Sequence, residues 1–161
     1  MKTIKKKENI REQILLKIKH YENSRGITLF DKSDNLAEKN LNLENNELEV
    51  VLIKFNKKEK ILLTTKNIYY FDKNNFRKIA GENIDRFDYL EFINGEKIME
   101  EKSRIKIFFL RMKMRFRIGT YRIVEKNDSF IELKIWKTNY ADCLNNGIKR
   151  LKFIGTKYEA I

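Results

Sequence analysis

The chain has 161 residues, 42% hydrophobic and 12% aromatic, which is enough for one domain with its own core and excludes a disordered segment. Its 35 Lys and Arg against 23 Asp and Glu leave a net charge of +12, which favours polyanionic partners such as nucleic acid or acidic membranes. One cysteine, Cys143, and one histidine, His20, exclude an internal disulfide, a thiolate metal cluster and a histidine-based triad within the chain.

The abundance of Lys, Asn and Ile and the lack of Pro are those of an AT-rich coding sequence, so part of the basicity is compositional. Residues 1–7 are Lys-rich like the start of a signal peptide, but no continuous apolar segment follows. No apolar run approaches the roughly 20 residues needed to span a bilayer. The expected address is the cytoplasm, with a peripheral position at the inner membrane surface left open.

Residues 1–22 read as a helix with Ile10, Ile14, Ile18 and Tyr21 on one side and Ile4 and Leu15 at its margin. Lys and Arg fill the other sides. Such a stripe docks on its own domain or on a twin subunit, or lies on an anionic membrane. His20 is expected at the surface. Residues 23–46 form a polar connection in which Leu36, Leu41 and Leu43 suit a short helix or an edge strand. The chain thus divides into an N-terminal extension, 1–46, and a β domain with a C-terminal helix, 47–161.

The β domain opens with a strand over residues 47–55, centred on Val50, Val51, Leu52 and Ile53. A turn at Asn56, Lys57, Lys58 and Glu59 leads into a strand over 60–64, and a second turn at 65–67 into a strand over 68–71. After the turn-rich residues 72–75 come strands at 79–84 and 87–92, then a turn signal at Asn94 and Gly95.

The run from Ile61 through Thr64 and Asn67 to Phe71 resembles the second and third strands of bacterial pleckstrin-homology-like (PH-like) and GRAM-type domains. Residues 79–87 resemble that family's next element. The strand at 130–136 with a following helix is similar to the family's ending, so the likeness spans roughly residues 47–154. Asn67 stands where the family often has Arg. The resemblance implies an antiparallel β-barrel or sandwich with a capping helix. It also implies a non-catalytic adaptor that touches a protein partner or an anionic membrane. Some eukaryotic members hold phosphoinositide head groups with cations around the loop joining their first two strands, which here carries Lys57, Lys58 and Lys60.

Residues 104–109 read as a strand with Ile105, Ile107 and Phe109 in phase, and a bulge is expected where the phase changes after Phe109. Residues 110–118 alternate apolar and cationic side chains at every step, the period of a half-buried strand. Leu110, Met112, Met114, Phe116 and Ile118 then face the core, and Arg111, Lys113, Arg115 and Arg117 face solvent. Gly119 and Thr120 suit a two-residue hairpin turn into a strand over 121–126. A loop at Asn127, Asp128 and Ser129 leads to the strand at 130–136, pairing Ile123 with Leu133 and Tyr121 with Ile135. The outer face of this sheet gathers Arg111, Lys113, Arg115, Arg117, Arg122, Lys126 and Lys134, with Glu132 the nearest acid. It is either a solvated face or an anion-binding one. As the latter it offers an alternative function, gripping a nucleic-acid backbone with little sequence reading, since Phe116, Tyr121 and Trp136 are expected in or beside the core rather than stacking on bases.

The last element is a helix over about 139–153 with Tyr140, Leu144, Ile148 and Leu151 in phase, Cys143 as a small core residue, and Gly147 as a weak point. Asp85 with Asp88 and Glu91 with Glu96 are carboxylate pairs that lack a histidine, a metal-ligand spacing or a phosphate loop beside them. The expectation is therefore binding rather than catalysis, with no cofactor and no metal.

Overall fold

The computed structural model describes residues 2–31, 41–73, 75–93, 104–116 and 119–160. The Asn94 turn, Leu36, Glu96, Arg117 and Ile118 lie outside them. Among the described residues the protein is α+β. Strands β2 (Ile27–Leu29), β3 (Glu49–Lys54), β4 (Glu59–Thr64), β5 (Asn67–Asp72) and β6 (Asn75–Ala80) form one antiparallel sheet in that order. Strands β7 (Ile84–Tyr89), β8 (Gly119–Glu125) and β9 (Phe130–Ile135) form a second. Helix α1 (Lys7–Ile18) precedes the first sheet, and α4 (Thr138–Lys157) follows the second. Two short strands, β1 (Thr3–Lys5) and β10 (Tyr158–Ala160), run parallel and bring the two ends of the chain together. Among the described residues the two sheets are not joined by a ladder, so the expected barrel is not closed.

The core lies where both sheets meet the helices. Ile10, Ile14 and Ile18 recur every four residues along α1 and are fully buried, so this stripe is used within the chain rather than offered to a twin subunit. In α4 the buried residues Tyr140, Leu144, Ile148, Leu151 and Ile154 make the corresponding stripe, and α1 packs on it. Helix α4 continues without a break through Gly147. A Cβ there would stand 3.0 Å from Leu63 of β4, so the glycine lets the helix lie close to the sheet. The expected N-terminal helix is shorter than 1–22 because Ile4 belongs to β1, and the expected polar connection contributes β2 to the first sheet.

The main correction concerns residues 104–118. Their described part is a helix, α3 (Arg104–Phe116), not two strands. Between Phe108 and Arg117 the sequence has no β-branched residue; Leu, Met, Arg and Lys are good helix formers. Gly119 and Thr120 are not a turn but the start of β8, paired with Ile135 and Lys134. A Cβ on Gly119 would meet the carboxylate of Glu91, which accepts a hydrogen bond from the Thr120 amide at 2.9 Å, so the glycine makes room for that brace. The strand expected at 87–92 turns at its end into a one-turn helix, α2 (Leu90–Ile93), on which α3 packs. The β8–β9 loop has three residues as expected, but it is 126–128, with Asp128 at φ 64° in the left-handed position of such hairpins. Ile123 therefore pairs with Ile131 and Tyr121 with Leu133, two residues from the expected register and on the same face.

Two polar clusters bind the parts. The Arg77 guanidinium of β6 reaches the second sheet, donating to the Phe130 carbonyl at 2.6 Å, the Ser129 hydroxyl at 2.8 Å and Glu125 at 2.5 Å. On the outer face of the first sheet, Phe30, Leu52, Leu62 and Tyr69 are covered by Leu41 and Leu43, which lie in an irregular segment rather than a helix or strand. Glu47, 4% exposed, ends that segment. Its carboxyl group accepts hydrogen bonds from the Thr64 hydroxyl, from Asn67 at 2.7 Å and from the Tyr69 hydroxyl at 2.8 Å. Burial, and then the bond to Glu47, hold the Tyr69 hydroxyl above its ordinary range, so it stays a donor. Outside this cluster Glu44 bonds Lys78 at 2.8 Å and Lys66 at 3.0 Å, which hold its carboxyl down at about 2.

Glu47→Ala should leave the buried Tyr69 hydroxyl without its acceptor and Asn67 with only a long bond to Tyr69, and lower stability by about 1–3 kcal/mol in urea unfolding. A loss within the noise of surface variants would contradict this role. Glu44 predicts an acid-side effect. Its folded carboxyl titrates below the ordinary 4.5, so its stabilisation is present above that value and is lost as pH falls towards 2. Being half exposed, the group gives a modest, salt-sensitive effect. Glu44→Gln should flatten the stability profile between those two pH values, so that the variant is slightly less stable than the unaltered chain near neutrality and the two converge towards pH 2.

Candidate functional site

The seven cations expected on one sheet face are dispersed. Arg111, Lys113 and Arg115 stand on α3, Arg111 and Arg115 on one flank and Lys113 on the other, 3.9 Å from Glu91. Arg122 lies opposite Glu132 in the β8–β9 ladder and donates to it at 3.0 and 3.1 Å, while its guanidinium covers the Phe130 ring. Lys126 is in the hairpin loop, and Lys134 is on the exposed side of β9. Arg117 is outside the described residues. Among the described residues a continuous basic sheet face is therefore not formed, because the described part of its expected central strand is a helix.

The lysine loop fares differently. Asn56 accepts hydrogen bonds from the Lys58 and Glu59 amides at 2.8 and 2.9 Å, a side-chain-closed turn that carries Lys57 and Lys58 at its tip. The Lys73 amide donates to the Lys58 carbonyl at 3.0 Å, which joins the β5–β6 turn to the β3–β4 turn. Lys57, Lys58, Lys60 and Lys73 thereby border one depression of about 550 Å³ with Phe71 and Phe76 among its walls. The Lys60 ammonium sits 5.1 Å from the Phe71 ring centre. Glu59 is bonded to Asn56 at 2.5 Å and to Tyr70 at 3.3 Å. It is not among the lining groups. Sequence reasoning found three of these lysines; Lys73 was missed because a turn signal does not say which other turn it will meet.

The helix α3 shows a feature that the strand reading concealed. At about 100° per residue, Ile107, Leu110 and Met114 share one side. Leu110 is buried and the other two are half-buried, so this side docks the helix. Ile105, Phe108, Phe109, Met112 and Phe116 share another arc and are between 42 and 71% exposed. Arg104, Arg111 and Arg115 lie along one margin of that arc, and Lys106 and Lys113 along the other. The helix has no acidic residue. The signal available in the sequence was the spacing 105, 108, 109, 112, 116, a helical period hidden beneath the shorter alternation. Phe116, Tyr121 and Trp136 are the aromatics expected in or beside the core; Tyr121 is buried, whereas Trp136 is 72% exposed and Phe116 is also exposed.

The carboxylates are structural in their contacts. Arg86 donates to Asp85 at 2.6 Å and to Asp88 at 3.0 Å, and Glu91 braces β8. Cys143 is buried in α4, and desolvation pushes its thiol up to about 12, which makes it a poor nucleophile. Among the described residues no helix is long and apolar enough to cross a membrane. No family model, curated protein or solved structure matches the chain, so the case for its function rests on these surfaces.

Proposed function

We propose that the protein is a non-catalytic binding module of PH-like type whose partner presents an anionic surface, either a membrane or a protein. The observation that carries this reading is the joining of two lysine-bearing turns around one depression, with Lys57, Lys58, Lys60 and Lys73 at its border. Four cations held by a closed turn and a cross-turn backbone bond are positioned for multiple contacts with phosphate or carboxylate groups, not merely scattered in solvent.

The order of elements supports the PH-like part. A four-strand meander, β3 to β6, is followed by a three-strand meander, β7 to β9, and then by a long helix packed on the core. Against that frame α1, β1, β2 and β10 are additions at the ends, and α3 is an insertion between β7 and β8. The nucleic-acid alternative drew on a continuous basic sheet face and loses its geometric basis with it.

The test is sedimentation of the purified chain with phosphatidylcholine vesicles, with and without phosphatidylserine, across a salt series. Binding should require the anionic lipid and weaken with salt. Lys57→Ala with Lys58→Ala should reduce it roughly 30-fold, from about 1 kcal/mol for each cation near an anionic surface. Equal binding by the double variant would overturn the assignment of this site.

A further inference from the structure

We infer that α3 is a membrane-docking helix: its exposed stripe enters the headgroup and acyl boundary of an anionic bilayer, and the arginines along one margin, Arg104, Arg111 and Arg115, meet lipid phosphates. This rests on the anionic-surface reading above and names the bilayer as that surface.

The stripe is distinct from the core. The apolar faces of α1 and α4 are consumed inside the molecule, whereas Ile105, Phe108, Phe109, Met112 and Phe116 of α3 face outward. The helix already has a docking side, formed by Leu110 with Ile107 and Met114, so the outward stripe is a second apolar face on the same element. Thirteen residues make a stripe about 20 Å long, suited to lying in the plane of an interface rather than crossing it.

Charge selects the occupant. Cations run along both margins of the stripe, and Lys and Arg stems reach past an apolar seam while their heads stay at phosphate level. A second copy seated on this face would bring the arginines Arg104, Arg111 and Arg115 of each helix against the other's cations, with no acid on either helix. An acidic lipid surface supplies both the apolar phase and the opposite charge.

Two neighbours extend the surface. Thr138 donates its hydroxyl hydrogen to the Phe116 carbonyl, which holds the end of α3 against the start of α4. There Phe116 and Trp136 border one depression together with Arg25 and Lys137. Tryptophan favours the membrane interface because its ring is apolar and its N–H is not. Tyr140 borders the same depression and packs edge-on against Phe55 with ring centres 5.9 Å apart. Phe55 directly precedes the turn of Lys57 and Lys58, so the helix and the lysine site are linked through one aromatic contact.

Trp136 is the only tryptophan and therefore reports the event directly. The experiment titrates the full chain with phosphatidylcholine vesicles, with and without phosphatidylserine, and reads Trp136 emission beside sedimentation. The expected result is a blue shift on the mixed vesicles alone. Phe109→Ser with Met112→Ser should weaken binding at least about tenfold and abolish the shift, with an unchanged thermal melt because both side chains are exposed. Arg111→Glu with Arg115→Glu should weaken binding to the mixed vesicles and reduce the blue shift, with the remaining anionic-lipid preference carried by the lysine site. Lys57→Ala with Lys58→Ala should weaken binding but keep the shift at saturating lipid.

Vesicle binding that is lost in the lysine variant but unaffected by the stripe variant, with Trp136 emission unmoved, overturns this inference and leaves the lysine site standing. Absence of binding to mixed vesicles overturns this inference and leaves an anionic protein as the partner of the lysine site. A dimer of the unaltered chain that the stripe variant makes monomeric, without vesicle binding, overturns it in favour of self-association.

Discussion

Burial of the α4 stripe between α1 and the two sheets is the constraint on which the rest depends. Tyr140, Leu144, Ile148, Leu151 and Ile154 enter one core with Ile10, Ile14 and Ile18 of α1 and with residues of both sheets, such as Leu63 and Leu133. Because the sheets share no ladder, their relation is maintained by this packing and by the Arg77 bridge to the β8–β9 hairpin. The helix must lie close for this to work. Gly147 meets Leu63, and a Cβ on Gly155 would stand 2.8 Å from the Glu82 amide nitrogen. Larger residues there would push the helix off its seat and expose apolar area from both sheets at once.

With that core closed, the surface divides into settled and unsettled parts. The first sheet's outer apolar patch is covered by Leu41 and Leu43, and the carboxyl group of Glu47 beside it is fully bonded. Asp85 and Asp88 of β7 are engaged with Arg86, and Glu91 with the start of β8. Two regions differ: the lysine-bordered depression at the turns, and the outward stripe of α3. One offers charge at a shaped site, the other apolar area framed by charge. On the membrane reading proposed above, an anionic bilayer would meet both, and joint use of the two would attach the protein more strongly than either alone, as two-signal membrane binding requires.

How much of this was legible in the sequence follows from how many periods each segment obeys. Residues of α1 and α4 fit the helical period alone, and β3, β4 and β5 have short aliphatic or aromatic runs bounded by turn residues, so these elements were readable from their side chains. Residues 110–116 fit two periods. Alternation of apolar and cationic residues satisfies a strand, while Ile107, Leu110 and Met114 on one side and Phe108, Phe109, Met112 and Phe116 on another satisfy a helix with two apolar faces. The lack of β-branched residues in that stretch was the local evidence for the helix, and it was outweighed by a pattern that counted only one buried face. The lysine site was half legible: the sequence placed Lys57, Lys58 and Lys60 at one turn, but the approach of Lys73 is a tertiary event set by the pairing of β4 with β5.

The most direct test of the account is a cysteine-accessibility scan along 105–116, feasible because the native Cys143 is buried with an unreactive thiol. Single cysteines at 105, 108, 109, 112 and 116 should react fast with a water-soluble maleimide, and those at 107, 110 and 114 slowly. Equal protection of 110, 112, 114 and 116, with 111, 113 and 115 fast, would be the signature of a strand and would contradict the helix and the outward stripe on which the membrane reading stands.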